Sequence, residues 1–171
     1  MYRKVASGLG LANGPATADW DQTEVLPRIT ERAVEYIHQR GKDKDTPFFL
    51  YFPLTAPHVP LMPSKQYIGK SIYGQYGDFV HQVDDIVGQI TKALEQAGLD
   101  QNTLVIFTSD NGSFPAPQKG HSPNGELRGK KGRIFEGGHR VPLLDRWPGK
   151  IKDGSVNTQL VGVKRLTHKA G

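Results

Sequence analysis

Three short stretches combine residue types that can do chemistry with neighbours that would hold them in place. In Thr108-Ser109-Asp110-Asn111-Gly112 a carboxylate and an amide oxygen stand side by side. These are hard oxygen donors of the kind that suit calcium or magnesium. Asp-Asn-Gly is equally a favoured turn, and calcium takes roughly six to eight oxygens, so two residues make no site unaided. In Ala56-Pro57-His58-Val59-Pro60 two prolines stiffen the loop that carries His58. That placement suits a general acid or an anion-binding cation, and an exposed or structural histidine is the plainer account. Leu127-Arg128-Gly129-Lys130-Lys131-Gly132 sets lysines among glycines and leads into Phe135-Glu136-Gly137-Gly138-His139-Arg140-Val141-Pro142. A lysine between glycines approaches an oxyanion with little steric hindrance, as a compact point charge, and a solvated basic loop is the bland alternative.

The elements that must position these loops follow from the apolar pattern. Leu26, Ile29, Ala33 and Ile37 recur at three- and four-residue steps, predicting a helix from Thr23 with Pro27 tolerated in its first turn. Phe48-Phe49-Leu50-Tyr51-Phe52, between Pro47 and Pro53, is a continuous apolar run and reads as a strand buried on both faces. Phe79, Val80, Val83, Ile86, Val87, Ile90, Ala93, Leu94 and Ala97 form one helical stripe, which Gly98 ends. Leu104-Val105-Ile106-Phe107 is a second buried strand, broken abruptly by Asp110-Asn111-Gly112. A glycine-rich loop, the apolar stretch Val141 to Leu144 and a turn at Pro148-Gly149 follow. This alternation predicts an α/β fold with a mainly parallel sheet flanked by helices, in which ligands bind beyond the C-terminal ends of strands. The His58 and Asp110 loops leave such ends.

Composition narrows the class. The 171 residues hold 36% hydrophobic and 23% charged residues, neither disordered nor membrane-like. No run approaches the ~18 apolar residues of a spanning helix, and Met1 to Gly8 is too short and too weakly apolar for a signal peptide. The net charge of +5 has one denser patch, Arg128 to Arg140, which suits an anionic ligand. No interleaved aromatics or motif favours nucleic acid. The absence of cysteine excludes disulfides, thiolate metal sites and a cysteine nucleophile.

The order and joint spacing of these stretches resemble the sulfatase family of the alkaline-phosphatase-like superfamily. The resemblance rests on Pro47 to Tyr51, Ala56 to Pro60, Tyr76-Gly77-Asp78 through Val83 to Gly88, Thr108 to Gly112, and Leu127 to Gly149, colinear through about residues 23 to 160. Within the family the pattern is most similar to the arylsulfatase A and N-acetylgalactosamine-6-sulfatase groups. It implies a partial alkaline-phosphatase-like fold, namely the middle to C-terminal part of a catalytic domain. Residues 1–22 are then an irregular lead-in, 23–160 the partial domain and 161–171 a divergent tail. By the same resemblance Asp110 and Asn111 would ligate calcium, completed by aspartates nearer the family's N-terminus. His58 would bind the sulfate and assist the leaving group, and Lys131 would contact the sulfate, with Lys130 the less favoured neighbour. His121 is a weaker candidate substrate contact, and Glu136-Gly137-Gly138 is expected to shape the backbone. Asp84 and Asp85 are expected on the exposed face of the second helix.

The chain departs from the family pattern where the nucleophile is made. Sulfatases use a formylglycine formed from a Cys/Ser-x-Pro-x-Arg motif, which is not present here; Ser64 and Ser122 both fail it. Asp145 places a charge in a run that the family keeps apolar, and Gly162 to Gly171 differs from the family's usual continuation. The expectation is therefore a truncated sulfuric-ester hydrolase, inactive alone, acting by descent on aryl or carbohydrate sulfates. The alternatives are a non-catalytic fragment that binds sulfated ligands weakly, a phosphate or phosphonate monoester hydrolase of the same superfamily, or a fragment that does not fold independently. The expected partner is a sulfated small molecule or glycan, with neither nucleic acid nor membrane. The family suggests export, to a periplasmic, extracellular or lysosomal compartment.

Overall fold

The computed structural model describes residues 17–114 and 120–162, and the backbone of residues 2–3 and 14–15. The chain divides into two compact units, residues 1–99 and 100–171. Among the described residues no helix is long and apolar enough to cross a membrane.

In the first unit, β1 (Tyr2–Arg3) pairs antiparallel with β2 (Gly14–Pro15). A 3₁₀ turn at Gln22–Glu24 then leads into helix α1, Val25–Arg40. Asp21 caps the turn, accepting from the Thr23 amide at 2.9 Å and the Thr23 hydroxyl at 2.8 Å. Leu26, Thr30, Ala33 and Ile37 form the buried stripe of α1. Ile29 is half-buried against the core, and Thr30 beside it is buried because its hydroxyl donates to the Leu26 carbonyl at 2.7 Å. Helix α2 spans Gly74–Gln96 and buries Phe79, Val83, Ile86, Ala93 and Leu94. Gly98 at φ +64° ends it in a Schellman turn, with Gly98 N donating to Glu95 O at 3.0 Å and Leu99 N to Leu94 O at 2.9 Å.

Leu26 of α1 meets Phe79 and Ile86 of α2 in the core of this unit, and each such side chain stabilises by about 1.5–3 kcal/mol. Phe52, Leu54, Ala56 and Leu61 lie against that core. The strand expected at Phe48 to Phe52 is not formed. Phe49 and Tyr51 are 83% and 75% exposed. Alternate residues from Phe48 to Ala56 are half-buried, so the extended chain covers one face with the helices and leaves the other uncovered.

In the second unit a 3₁₀ turn at Asp100–Asn102 precedes β3, Val105–Thr108. β3 pairs antiparallel with β4, Leu143–Arg146, in the register Val105 with Arg146 through Thr108 with Leu143. The expected parallel sheet is not found among the described residues, whose strand pairs are antiparallel. Parallel neighbours require a crossover of a dozen or more residues, usually a helix. Between β3 and β4 the described chain has only the four-residue helix α3, Glu136–His139, and returns by loops. β3 is not buried on both faces either: Ile106 is 41% exposed. Asp145 stands opposite Ile106 on the exposed side of β4, where its charge remains solvated.

Candidate functional site

Each unit presents one part of the predicted constellation. In the first unit, the loop after Phe52 is pinned on both sides of His58. Upstream, Phe52, Leu54 and Ala56 lie on the α1–α2 core. Downstream, Leu61 does the same, and Ser64 is locked by Gln82 of α2. The Gln82 amide oxygen accepts from Ser64 N at 2.9 Å and its nitrogen donates to Ser64 Oγ at 2.8 Å. Ser64 Oγ in turn donates to the Thr23 carbonyl at 2.7 Å. Both residues are nearly inaccessible, at 2% and 6%.

The loop so held carries His58 on its exposed crest, where both Ala56-Pro57 and Val59-Pro60 are cis. His58 Nδ1 lies 2.7 Å from the Val59 carbonyl and His58 N donates to Thr55 O at 3.3 Å. With its proton on Nδ1, the ring turns Nε2 away from the backbone. That nitrogen accepts when the ring is neutral and donates when it is protonated.

Asp78 is the second buried polar group of α2. Its carboxylate accepts from Gly69 N at 2.9 Å and Ser71 N at 2.7 Å. Burial pushes its pKa up, but backbone donors at Gly69, Ser71 and Lys70, with the His81 charge beside them, outweigh that and leave it lowered. Asp85 on the exposed face of α2 accepts from the Tyr67 hydroxyl at 2.5 Å and from Gln89 at 2.8 Å.

In the second unit, β3 delivers Asp110 and Asn111 just beyond its C-terminal end. Ser109 Oγ donates to the Asn111 carbonyl at 2.9 Å, while among the described residues no partner engages the Asp110 carboxylate or the Asn111 side-chain amide. Both are hard oxygen donors and suit calcium by type. Among the described residues no group of three or more His, Cys, Asp and Glu converges on one point.

The chain then enters a knot of glycines. Gly112 N donates to Gly138 O at 3.0 Å, and a Cβ on Gly112 would fall 1.9 Å from the Gly137 carbonyl oxygen. A Cβ on Gly138 would fall 2.1 Å from the Arg133 carbonyl oxygen. Gly137 N donates to Arg128 O at 2.8 Å. Glu136-Gly137-Gly138 therefore shapes the backbone, and the Glu136 side chain faces solvent beside Arg140 and His139, each 3.5 Å away.

This knot holds the basic loop against the exit of β3. Lys131 N donates to Ser113 O at 3.0 Å, so the Lys131 backbone lies beside the chain that has just left Asp110 and Asn111. Asn124 clamps the same place. Its Oδ1 accepts from Ser113 N at 2.9 Å, and its Nδ2 donates to Ser113 O at 3.3 Å and Gly129 O at 3.2 Å. The structure thus brings Lys131 to the Asp110-Asn111 loop. His121 is half-buried in a neighbouring cleft, lined also by Lys130 and Arg133 but not by Lys131. Gln82, Ser64 and Asn124 escaped sequence reasoning. The one signal for Asn124 was a Pro-Asn-Gly run, which reads as a turn and nothing more.

Comparison with known proteins places the chain as a whole. The family model described as Sulfatase matches residues 18–170. N-acetylgalactosamine-6-sulfatase of Mus musculus is 42% identical over 154 residues, covering 89% of this chain and 29% of that protein. N-acetylgalactosamine-6-O-sulfatase of Bacteroides thetaiotaomicron is 37% identical over 153 residues, with 84% and 29% covered. A solved structure concerned with the metabolism of multiple glycosaminoglycans by Bacteroides thetaiotaomicron superposes with a TM-score of 0.72 at 37% identity, over 78% of this chain and 29% of that one. The chain spans less than a third of the length of each of these proteins.

Proposed function

Because the chain belongs to the sulfatase family, we propose that its loops supply part of a site that binds and hydrolyses sulfate esters of carbohydrates. The observation that carries this reading is the Lys131 N to Ser113 O bond, which holds the basic loop on the exit of β3 beside two uncommitted oxygen donors. Within the proposal, Lys131 binds a sulfate oxygen as a point charge. His58 donates through Nε2 to the sulfate or to the departing ester oxygen, using the outward orientation that its Nδ1–Val59 contact sets. Asp110 and Asn111 would hold calcium together with oxygen ligands from outside these residues. Bound there, the ion would supply positive charge against which sulfate oxygens are stabilised. The relatives' names favour an N-acetylgalactosamine 6-sulfate substrate and the sulfate over the phosphate chemistry of the superfamily.

No cysteine and no Cys/Ser-x-Pro-x-Arg motif occurs in the 171 residues, so turnover needs a nucleophile that these residues do not provide. Within the proposal, these 171 residues by themselves bind sulfated sugar without hydrolysing it. Titration with N-acetylgalactosamine 6-sulfate, its 6-phosphate and the unmodified sugar tests the reading. The sulfated sugar is expected to bind best, with Lys131→Ala weakening it about tenfold for one lost charge-assisted contact. His58→Gln is expected to weaken it less. Equal binding of the sulfated and unmodified sugars would refute the proposal.

A further inference from the structure

The cleft beside the glycine knot has a volume of about 480 Å³, and the residues that set its character are His121, Asn124, Arg128, Lys130, Arg133 and Phe135. Among the described residues no carboxylate is part of its lining, and Glu126, in sequence between the lining residues Gly125 and Leu127, is exposed. Glu136, the nearest acid in sequence to Arg133 and Phe135, pairs instead with Arg140 and His139. Two of the cations are held in place by aromatic faces. The Arg128 guanidinium carbon lies 3.8 Å from the Phe135 ring centroid, and Lys130 Nζ lies 5.4 Å from that of Phe114. Gly129, at φ +88°, permits the first of these, since a Cβ there would fall 2.7 Å from Phe135 Cβ.

The sulfate contacts proposed above use Lys131 and leave Lys130, Arg128 and Arg133 with no part. Three cations without an acid among them constitute a site for a second negative charge. A volume of this size admits one sugar ring. One face of the Phe135 ring is covered by the Arg128 guanidinium. We infer that this cleft is a second anion subsite, which takes the carboxylate or second sulfate of the sugar neighbouring the sulfated residue in an anionic glycan. The inference rests on the reading of the substrate as a sulfated carbohydrate.

The test is calorimetric titration of the full 171-residue chain with three probes. These are N-acetylgalactosamine 6-sulfate, the unsulfated disaccharide of N-acetylgalactosamine and glucuronate, and the 6-sulfated form of that disaccharide. The double variant Lys130→Gln, Arg133→Gln is expected to weaken both glucuronate-bearing probes about tenfold, for the loss of two exposed charge contacts. It should leave the monosaccharide sulfate unchanged. Lys131→Gln should weaken only the two sulfated probes. Circular dichroism of each variant, matched to wild type, separates these losses from unfolding. Unchanged binding of the glucuronate probes, or an equal loss for all three, overturns the subsite. If the 6-sulfated disaccharide binds no better than the unsulfated one while both still respond to the double variant, the sulfate reading fails and the second subsite stands.

Discussion

Replacing Gln82 with leucine isolates the contact that fixes the chain after His58. The side chain is 2% exposed, and its two bonds to Ser64, at 2.9 and 2.8 Å, tie α2 to this segment alongside the apolar contacts of Ala56 and Leu61. Leucine fills a similar volume, so the change removes polarity more than packing. Ser64 Oγ keeps its 2.7 Å bond to Thr23 O, but Ser64 N is left buried without an acceptor. A buried donor stranded in this way costs about 1–3 kcal/mol, and the gain from a more apolar side chain offsets part of it, for a net loss of about 1 kcal/mol. Trp20 lies in this unit and Trp147 in the other, so a Trp147→Phe background lets fluorescence follow the first unit alone. In urea the midpoint should fall by roughly 1 M for a slope typical of a unit this size. Hydrogen exchange at the Ser64 amide should accelerate, and binding of the sulfated sugar should weaken because the His58 loop is loosened. An unmoved midpoint together with an equally protected Ser64 amide would refute the reasoning.

Two further outcomes follow from buried groups. Asp78 has its folded-state pKa lowered, so the stability it contributes is present above its unfolded value near 4 and is lost as pH falls through the folded value. Asp78→Asn should flatten that acid limb of a urea-midpoint-versus-pH curve. It should also cost about 2 kcal/mol at neutral pH, because an amide nitrogen would face Gly69 N or Ser71 N, donor against donor. A Cβ on Gly137 would fall 2.5 Å from the Gly129 carbonyl oxygen and 2.8 Å from that of Leu127. Gly137→Ala should therefore cost about 3 kcal/mol in the second unit, read from Trp147 in a Trp20→Phe background; an unchanged transition would show that the loops yield.

The two helices were legible because their information is periodic. Leu26, Ala33 and Ile37, and Phe79, Val83, Ile86, Ala93 and Leu94, recur at helical spacing and are buried, whereas Val80, expected on the same stripe, is 43% exposed. Strand β3 was legible to within one residue, since Leu104 to Phe107 was the expected run and Val105–Thr108 the observed one. Its partner direction was not, because a run of apolar residues carries no information about which strand lies beside it. Val141 to Leu144 gave no hint that Leu143–Arg146 would pair antiparallel with β3. Phe48 to Phe52 misled for a related reason. Continuous apolarity implies cover on both faces, whereas the first unit's own helices cover only one.

The chemistry-bearing residues were nameable by type, but the residues that position them were not. Asp110, Asn111, His58 and Lys131 announce oxygen donors, a titratable ring and a cation through side chain alone. What fixes them is a set of bonds from ordinary polar side chains to distant backbone: Gln82 and Ser64 for the His58 loop, Asn124 and the Lys131–Ser113 amide bond for the basic loop. Glycines do the remaining work by having no Cβ, which lets the Gly112, Gly137 and Gly138 backbones approach within distances no other residue allows. A search for catalytic residue types therefore finds the ends of the loops and misses their anchors. Under the proposed function, substitutions at Gln82, Asn124 or Gly137 should alter ligand binding without any of them touching a ligand, because in each case what they set is the position of a backbone carrying a residue assigned to the ligand.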